Sequence, residues 1–213
     1  MLERNILIVD DNAKVKTIHI PAYLSEINSL KNSSEKWQQY NFNLIHIASM
    51  KDALAYLSVT SNCVDVLVVD YDFNGERTFA SGTGFVKHIR EKINRYCQVV
   101  FYTMQGIDSI DRQELVDLVN SDVYKFVDKS SDYSEMARVI FDAATLRNQI
   151  VESLEQFFIK YSAMLSAYKY SLGGEFVTFD EIVDHIRMDD EQGRVFIDKL
   201  IQKSILLNTN VEA

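Results

Sequence analysis

ILIVDDNAK, residues 6–14, places four apolar side chains directly before two carboxylates, Asp10 and Asp11. The run is short and rich in β-branched residues, which is typical of a buried β-strand. Similar runs recur at residues 44–48, 66–69, 99–102 and 124–127. The sequence therefore predicts five strands, and the two acids stand at the carboxyl end of the first.

Segments with helical spacing of their apolar residues separate these runs. They lie around residues 53–57, 85–93, 115–119 and 136–140. Their spacing predicts amphipathic helices. Strands that are apolar on both faces and alternate with helices indicate a parallel sheet covered on both sides, a doubly wound α/β fold. In such a sheet the ligand site lies at the carboxyl ends of the strands.

Polar residues follow four of the predicted strands at that edge. Asp10 and Asp11 follow the first, Asp70 the third, Thr103 the fourth and Lys129 the fifth. Three carboxylates packed together repel one another unless a cation neutralises them, and hard oxygen ligands with room for water suit Mg²⁺. An ammonium and a hydroxyl beside that metal would complete a site able to hold a phosphoryl group on one of the acids.

Residues 1 to about 145 resemble the receiver domain of bacterial response regulators. The matching pieces are ILIVDDN, VDVLVVDYDF, GTGFVKHIRE, QVVFYT and VYKFVDKS. Each piece is weakly specific, and their order and spacing together carry the resemblance. It implies a flavodoxin-like sheet of five parallel strands in the order 2-1-3-4-5.

The resemblance also implies roles for the acids. Asp70 would accept the phosphoryl group, and Asp10 and Asp11 would be the other acids of the Mg²⁺ site. The backbone carbonyl of Asp72 would be a further protein ligand to that metal. The chain would not be an enzyme beyond its own phosphoryl transfer and dephosphorylation.

Three residues of the later strands would respond to the phosphoryl group. Lys129 would pair with its oxygens, and Thr103 would bond to it and move toward it when it arrives. Phe126 stands where the family keeps an aromatic switch residue. An ordinary core ring is an equally good interpretation of Phe126.

The chain departs from the family at several positions near the site. Ser130 follows Lys129 where the family usually has a cis-proline, and the loop ERTFASGT, residues 76–83, is enlarged. Asp72 adds a carboxylate beside the acceptor, and Met104 is bulkier than the residue usual there. We expect restricted access to the site and slow turnover of the phosphoryl group.

The stretch between the first two strands is longer than usual in the family. Pro21 would break a single helix that began near Ala13, so two shorter pieces are predicted. Leu24, Ile27 and Leu30 give the second piece an apolar face. That face is expected to pack on the sheet, and the alternative is a surface for a partner.

Residues 146–213 are predicted to form a small all-α domain that serves output or dimerisation. Residues 147–168 carry the apolar stripe of one long helix. Thr178 and Glu181 have the spacing of a capping box that opens a second helix, and a third helix is expected over residues 189–206. The last two helices resemble a helix-turn-helix or winged-helix core.

Charge opposes DNA binding by this tail. Residues 146–213 contain seven Lys and Arg against eleven Asp and Glu, a balance of -4. Asp189, Asp190 and Glu191 would open the candidate recognition helix, which must approach phosphates. A protein partner or a second copy of the chain is therefore preferred over DNA.

Composition indicates a soluble cytoplasmic protein. The chain has 213 residues, 47% of them hydrophobic, and a formal net charge of -9. That charge repels nucleic acid and anionic membranes, and no apolar run reaches the roughly 18 residues of a membrane span. Cys63 and Cys97 lie far apart in sequence, so reduced thiols are expected.

Three functions from different classes are compatible with the sequence. The preferred one is a signalling switch phosphorylated on Asp70 by a separate sensor histidine kinase or another phosphodonor. The second is a pseudo-receiver that serves as a docking platform without phosphorylation. The third is a haloacid dehalogenase-type phosphatase, whose second acid would be Asp72 in Asp70-Tyr71-Asp72.

Overall fold

The protein folds into two compact units, residues 1–147 and 148–213. The structure is a computed structural model. It describes residues 2–59, 62–73, 78–79, 81–94, 97–103, 108, 110–121, 123–129, 132–146, 149–172, 174–188 and 190–208. The boundary predicted after residue 145 lies two residues before the one observed.

Five parallel strands form the sheet of the first unit. They are β1 (Leu2–Val9), β2 (Tyr40–Ile47), β3 (Val66–Asp70), β4 (Gln98–Thr103) and β5 (Val123–Asp128). Their order is β2-β1-β3-β4-β5, and every neighbouring pair is parallel. This is the predicted order, so the doubly wound α/β fold is confirmed.

Helices cover both faces of this sheet. They are α1 (Ile20–Asn32), α2 (Met50–Leu57), α3 (Gly82–Lys92), α4 (Arg112–Asn120) and α5 (Tyr133–Thr145). Alternate strand residues point to opposite faces. Ile8 and Val68 pack in the core with α1 and α5, whereas Leu7 and Leu67 pack with α2, α3 and α4.

The first two strands begin earlier than their apolar runs indicate. β1 starts at Leu2, and β2 starts at Tyr40. In β2, Tyr40 and Phe42 are buried while Asn41 and Asn43 are exposed. The strand alternates at this end instead of being apolar on both faces, so a search for apolar runs misses its start.

Three helical segments separate β1 from β2, the last of them a 3-10 segment at Glu35–Trp37, and the helix break that was predicted at Pro21 is not observed. A π-helical segment, Val15–His19, leads directly into α1, which has Pro21 in its first turn. Proline is tolerated there because its fixed φ angle suits the first turn of an α-helix. Tyr23 and Ile27 are the residues of α1 that are buried, and Leu24 is only partly covered. The helix therefore packs on the core through a face slightly rotated from the predicted one.

The second unit is mainly helical, with one feature that the sequence analysis missed. Its elements are α6 (Gln149–Lys160), α7 (Ser162–Leu165), β6 (Tyr170–Leu172), β7 (Glu175–Val177), α8 (Phe179–Met188) and α9 (Glu191–Asn208). Strands β6 and β7 form an antiparallel hairpin, so the all-α prediction was incomplete. Gly174 adopts a φ of 96° in its turn, a conformation that favours glycine.

The predicted capping box opens α8. The Glu181 side chain accepts a 2.7 Å hydrogen bond from the Thr178 amide, and the Glu181 amide donates to the Thr178 hydroxyl at 3.3 Å. The predicted long helix over residues 147–168 was wrong in length, because α6 ends at Lys160 and only the short α7 follows.

Helix α9 extends beyond the core of its unit. Phe196 is buried, but Ile201 and Ile205 are 45% and 55% exposed. The small core of the unit ends near Leu200, and the side chains in the last turns of the helix are exposed. Although α9 has 18 residues, no helix in the described part of the chain has the length and apolarity needed to cross a membrane.

Candidate functional site

The carboxyl edge of the sheet brings together the polar residues singled out in the sequence. Asp70 and Thr103 are the last residues of β3 and β4. Asp10 and Lys129 directly follow β1 and β5. These four strands are neighbours in the sheet and run in the same direction, so their ends meet at one edge.

Three carboxylates form a cluster at this edge. One oxygen from each of Asp10, Asp11 and Asp70 lies within 4.8 Å of the others. Asp10 and Asp70 are only 1% and 3% exposed, and Asp11 is half-buried. A set of carboxylate oxygens without nitrogen or sulfur suits a hard cation such as Mg²⁺. The donor set therefore fits the metal that the sequence predicted.

Lys129 places its ammonium between two of these acids. Nζ contacts Oδ2 of Asp70 and lies 3.0 Å from Oδ2 of Asp10. The Lys129 amide donates a 2.9 Å hydrogen bond to the carbonyl of Thr103, which ties the β5 turn to the end of β4. The side chain of Lys129 is 13% exposed, so its charge is poorly screened by water.

Four groups hold Asp10, and three of them contact its carboxylate. Its Oδ1 accepts a 2.7 Å hydrogen bond from the Asn12 amide, and its Oδ2 accepts one from the phenol of Tyr102 and the contact from Lys129. Its backbone carbonyl accepts a 2.7 Å bond from Nε2 of His46. Burial and the neighbouring Asp10 raise the pKa of Tyr102 well above its usual value, so the phenol remains a donor.

The acceptor candidate Asp70 is ionised only above mildly acidic pH. Burial raises the pKa of Asp70 from its usual 3.8 to about 6, against the lowering effect of the hydrogen bond and charge of Lys129. The negative charge of Asp10 adds to the increase. The Asp72 amide donates a weak 3.4 Å bond to Oδ1 of Asp70. Near neutral pH the group is therefore a carboxylate, the form that can act as a nucleophile.

The segment after Asp70 leaves no room for a side chain at Gly82. A Cβ on Gly82 would lie 2.1 Å from the carbonyl oxygen of Asp70, and the Gly82 amide donates a 3.1 Å bond to the carbonyl of Tyr71. Tyr71 in turn donates a 2.8 Å hydrogen bond from its hydroxyl to Glu114 of α4. The start of α3 and the chain beyond the acceptor are thus held against one another and against α4.

The strand order and crossovers of the first unit define its fold. No family model and no curated protein matches the sequence. Solved structures do match. Its structural neighbours are receiver domains. One, a response regulator receiver domain protein from Clostridium thermocellum, is 16% identical with a TM-score of 0.46, over 66% of this chain and 94% of that one.

Two further neighbours carry the same description. The CheY-like receiver domain protein from Methanospirillum hungatei is 12% identical with a TM-score of 0.44, over 76% of this chain and 98% of the other. The non-phosphorylated HemR receiver domain from Leptospira biflexa is 17% identical with a TM-score of 0.43, over 68% and 97%. At such low identity, the function has to follow from the residues of the site.

The remaining predicted residues occupy different environments in this fold. Thr103 is 2% exposed at the end of β4, and Asp72 is exposed. Phe126 is partly buried, and its ring packs against that of Phe101 with centroids 5.8 Å apart. The packing of Phe126 suits either interpretation of its role, as a switch or as part of the core.

Several departures from the receiver pattern lie outside the described residues. These are Ser130, Met104, and positions 76, 77 and 80 of the enlarged loop. Asp189, which was expected to open the candidate recognition helix, also lies outside them. The expectations of restricted access and slow turnover therefore stay predictions.

A cavity of about 390 Å³ opens beside the lysine, between the starts of α1 and α5. Its lining includes Asp10, Lys129 and the rings of His19, Tyr23 and Tyr133. The His19 ring packs on both tyrosines, with centroid distances of 6.2 and 5.4 Å. Burial lowers the pKa of His19, which keeps the ring neutral near pH 7. Among the residues of this site, sequence reasoning missed Tyr102 and His19.

Proposed function

We propose that the chain is a response regulator-like signalling protein that is phosphorylated on Asp70 in a Mg²⁺-dependent reaction. The observation that supports this most directly is the placement of Asp70. Its carboxylate is buried at the edge of the sheet, in contact with Lys129 and clustered with Asp10 and Asp11. A buried nucleophile, a metal-binding acid set and a cation in one place are what phosphoryl transfer requires.

The chemistry follows from these groups. A carboxylate oxygen of Asp70 attacks the phosphorus of a phosphodonor and forms the new P–O bond. The bond from phosphorus to the donor's nitrogen or oxygen breaks, and its electron pair leaves with the donor, which takes up a proton from solvent. Lys129 pairs with the phosphoryl oxygens. Bound Mg²⁺, held by Asp10, Asp11, Asp70 and the backbone carbonyl of Asp72, would supply further charge neutralisation on those oxygens.

Phosphorylation would then shift the populations of two receiver conformers. Lys129 and the hydroxyl of Thr103 would reorient toward the phosphoryl group. The ring of Phe126 packs on Phe101, which is on the strand that carries Thr103, so movement at the end of β4 would reach that ring. The phosphodonor is proposed to be a separate histidine kinase or a small phosphorylated molecule in the cytoplasm.

Output is proposed to run through protein contacts made by residues 146–213. Phe157, Tyr161 and Met164 of the α6 and α7 region are 48%, 38% and 55% exposed. Exposed aromatic and methionine side chains are favoured at protein interfaces. The acidic balance of the segment disfavours DNA, so a protein partner or a second copy of the chain is the preferred target.

A docking platform that needs no phosphorylation is the second candidate. The contact of Lys129 with both Asp70 and Asp10 favours it, because the ammonium already neutralises part of the buried charge. The phosphatase hypothesis is weaker. It needs the nucleophile at the end of the first strand, whereas Asp70 ends β3.

The proposal is tested by adding acetyl phosphate with Mg²⁺, or beryllofluoride with Mg²⁺, to the full chain. Intact mass spectrometry detects the gain of one phosphoryl group, and fluorine NMR detects the beryllofluoride adduct. We expect adduct formation in the wild type and in Lys125→Met, an exposed lysine on the same strand. Lys129→Met should weaken adduct formation by about 100-fold, because it removes a preorganised charge.

Two outcomes would decide against phosphorylation on Asp70. One is the absence of any adduct in the wild type under conditions in which a control receiver domain reacts. The other is an adduct that persists in Asp70→Asn, which would place the acceptor elsewhere. The first result would favour the docking platform, and the second would reject Asp70 as the acceptor.

A further inference from the structure

Tyr102 is a buried polar residue that the chemistry proposed above does not use. It is the second last residue of β4 and is 3% exposed. Its hydroxyl donates to Oδ2 of Asp10, and its ring lies beneath the ammonium of Lys129, 4.6 Å from Nζ to the centroid. The side chain therefore contacts two members of the site.

The hydrogen bonds of Asp10 show why this phenol matters. Asp10 is 1% exposed, so water has little access to its carboxylate. Its Oδ2 has two side-chain donors among the described residues, Tyr102 and Lys129, with the lysine at 3.0 Å. A buried carboxylate oxygen that loses its hydrogen-bond donors destabilises the folded state, and its orientation is no longer fixed.

Phosphorylation would remove one of these two donors. Nζ of Lys129 now contacts Asp70 and Asp10 together. When the ammonium pairs with phosphoryl oxygens on Asp70, its contact with Asp10 weakens. The phenol of Tyr102 then remains to hold Oδ2, while the Asn12 amide holds Oδ1 at 2.7 Å.

We propose that Tyr102 is a positioning residue for the metal site, which holds Asp10 in its ligating orientation while Lys129 turns to the phosphoryl group. This inference rests on the proposed function. Hydrogen bonds to the ligands of a metal orient them, and their removal typically costs about 10–100-fold in metal affinity. The effect of Tyr102 should be largest in the phosphorylated state, when Lys129 is engaged elsewhere.

The experiment compares Tyr102→Phe with the wild type as full chains. Mn²⁺ serves as the metal probe, and electron paramagnetic resonance measures its dissociation constant with and without beryllofluoride. Tyr124→Phe is the matched control, since Tyr124 is a half-buried tyrosine of the neighbouring strand β5. Fluorescence of Trp37 during urea unfolding checks that each variant is folded.

We expect Tyr102→Phe to weaken Mn²⁺ binding by about 10-fold without beryllofluoride and by up to about 100-fold with it. The Mn²⁺ dissociation constant of Tyr124→Phe should equal that of the wild type. A double-mutant cycle with Asp10→Asn shows whether the phenol acts through that carboxylate. In the Asp10→Asn background the Tyr102 substitution should have almost no further effect.

The outcomes separate this inference from the proposed function. Full Mn²⁺ affinity in Tyr102→Phe, or losses that add independently to those of Asp10→Asn, would overturn the role of Tyr102 even if the wild type forms its adduct. If the wild type forms no adduct, the proposed function fails. The titrations with Mn²⁺ alone then still decide the inference, since an unchanged dissociation constant overturns it.

Discussion

Asp70→Asn should stabilise the first unit when Mg²⁺ is absent. Burial raises the pKa of Asp70 from 3.8 to about 6, which means that ionising this group is less favourable in the folded chain than in the unfolded one. The amide of asparagine has nearly the same shape and no charge. It therefore relieves the cost of burying the carboxylate and can still accept a hydrogen bond from Lys129.

The size of the effect follows from the pKa difference. Each unit corresponds to about 1.4 kcal/mol, so a shift from 3.8 to about 6 gives up to about 3 kcal/mol for this 3% exposed residue. Below about pH 4 the carboxyl is protonated in both the folded and the unfolded state, so its ionisation does not lower the free energy of unfolding. Between about pH 4 and 6 the folded state keeps a proton that the unfolded state releases, so stability is lost as the pH rises.

Urea unfolding of the full chain, followed through Trp37, measures this difference. Trp37 is the single tryptophan and packs on Tyr40 and Phe141 in the core of the first unit, with ring centroids 5.8 and 5.3 Å away. Its fluorescence therefore reports the unfolding of that unit. With a urea slope of about 1–3 kcal/mol per molar, the midpoint of Asp70→Asn should rise by up to roughly 1–3 M near pH 7.

Asp72→Asn is the control, because it removes the same charge from an exposed position nearby. The urea midpoint of Asp72→Asn should change little. Mg²⁺ should reduce the difference in midpoint between the wild type and Asp70→Asn, because it binds the wild type more tightly. The reasoning would be refuted if Asp70→Asn were no more stable than the wild type near pH 7. A gap that stayed constant between about pH 4 and 6 would refute it equally.

Two further predictions test other contacts. Gly82→Ala should destabilise the first unit by about 2 kcal/mol, because its Cβ would lie 2.1 Å from the Asp70 carbonyl, whereas Gly84→Ala, with 3.9 Å to its nearest neighbour, should be neutral or slightly stabilising in the same urea assay. Equal midpoints for the two variants would contradict the close approach at Gly82. In the second unit, the guanidinium of Arg187 lies 2.5 Å from the carboxylate of Glu155, which is 3% exposed. Arg187→Met leaves that buried carboxylate without this partner and should lower the stability of the unit by about 3–5 kcal/mol. Hydrogen exchange should then rise across residues 149–208, and unchanged protection there would show that this pair is not important for stability.

The helical and strand content of the first unit could be predicted because its signals are local. Short β-branched runs and apolar residues at helical spacing occur in segments of a few residues. The order of the strands came with the resemblance to receiver domains, and the structure confirmed it. The early start of β2 was missed, since Tyr40 and Phe42 alternate with exposed asparagines.

The second unit was harder to predict because its elements are short. Strands β6 and β7 have three residues each, too few to establish a period. Ile201 and Ile205 fit the apolar face of a helix, yet they are exposed, because periodicity indicates which residues share a face and not how far the core extends.

The sequence by itself determined that Asp10, Asp70 and Lys129 would reach one edge of the sheet, because the carboxyl ends of parallel strands all lie at the same edge. Only the tertiary structure decided which donors hold each carboxylate. The bond from Tyr102 to Asp10 joins residues 92 positions apart and depends on the face of β4 to which the tyrosine points. Strand register and side-chain direction are set by packing across the whole sheet, and therefore no local pattern encodes them.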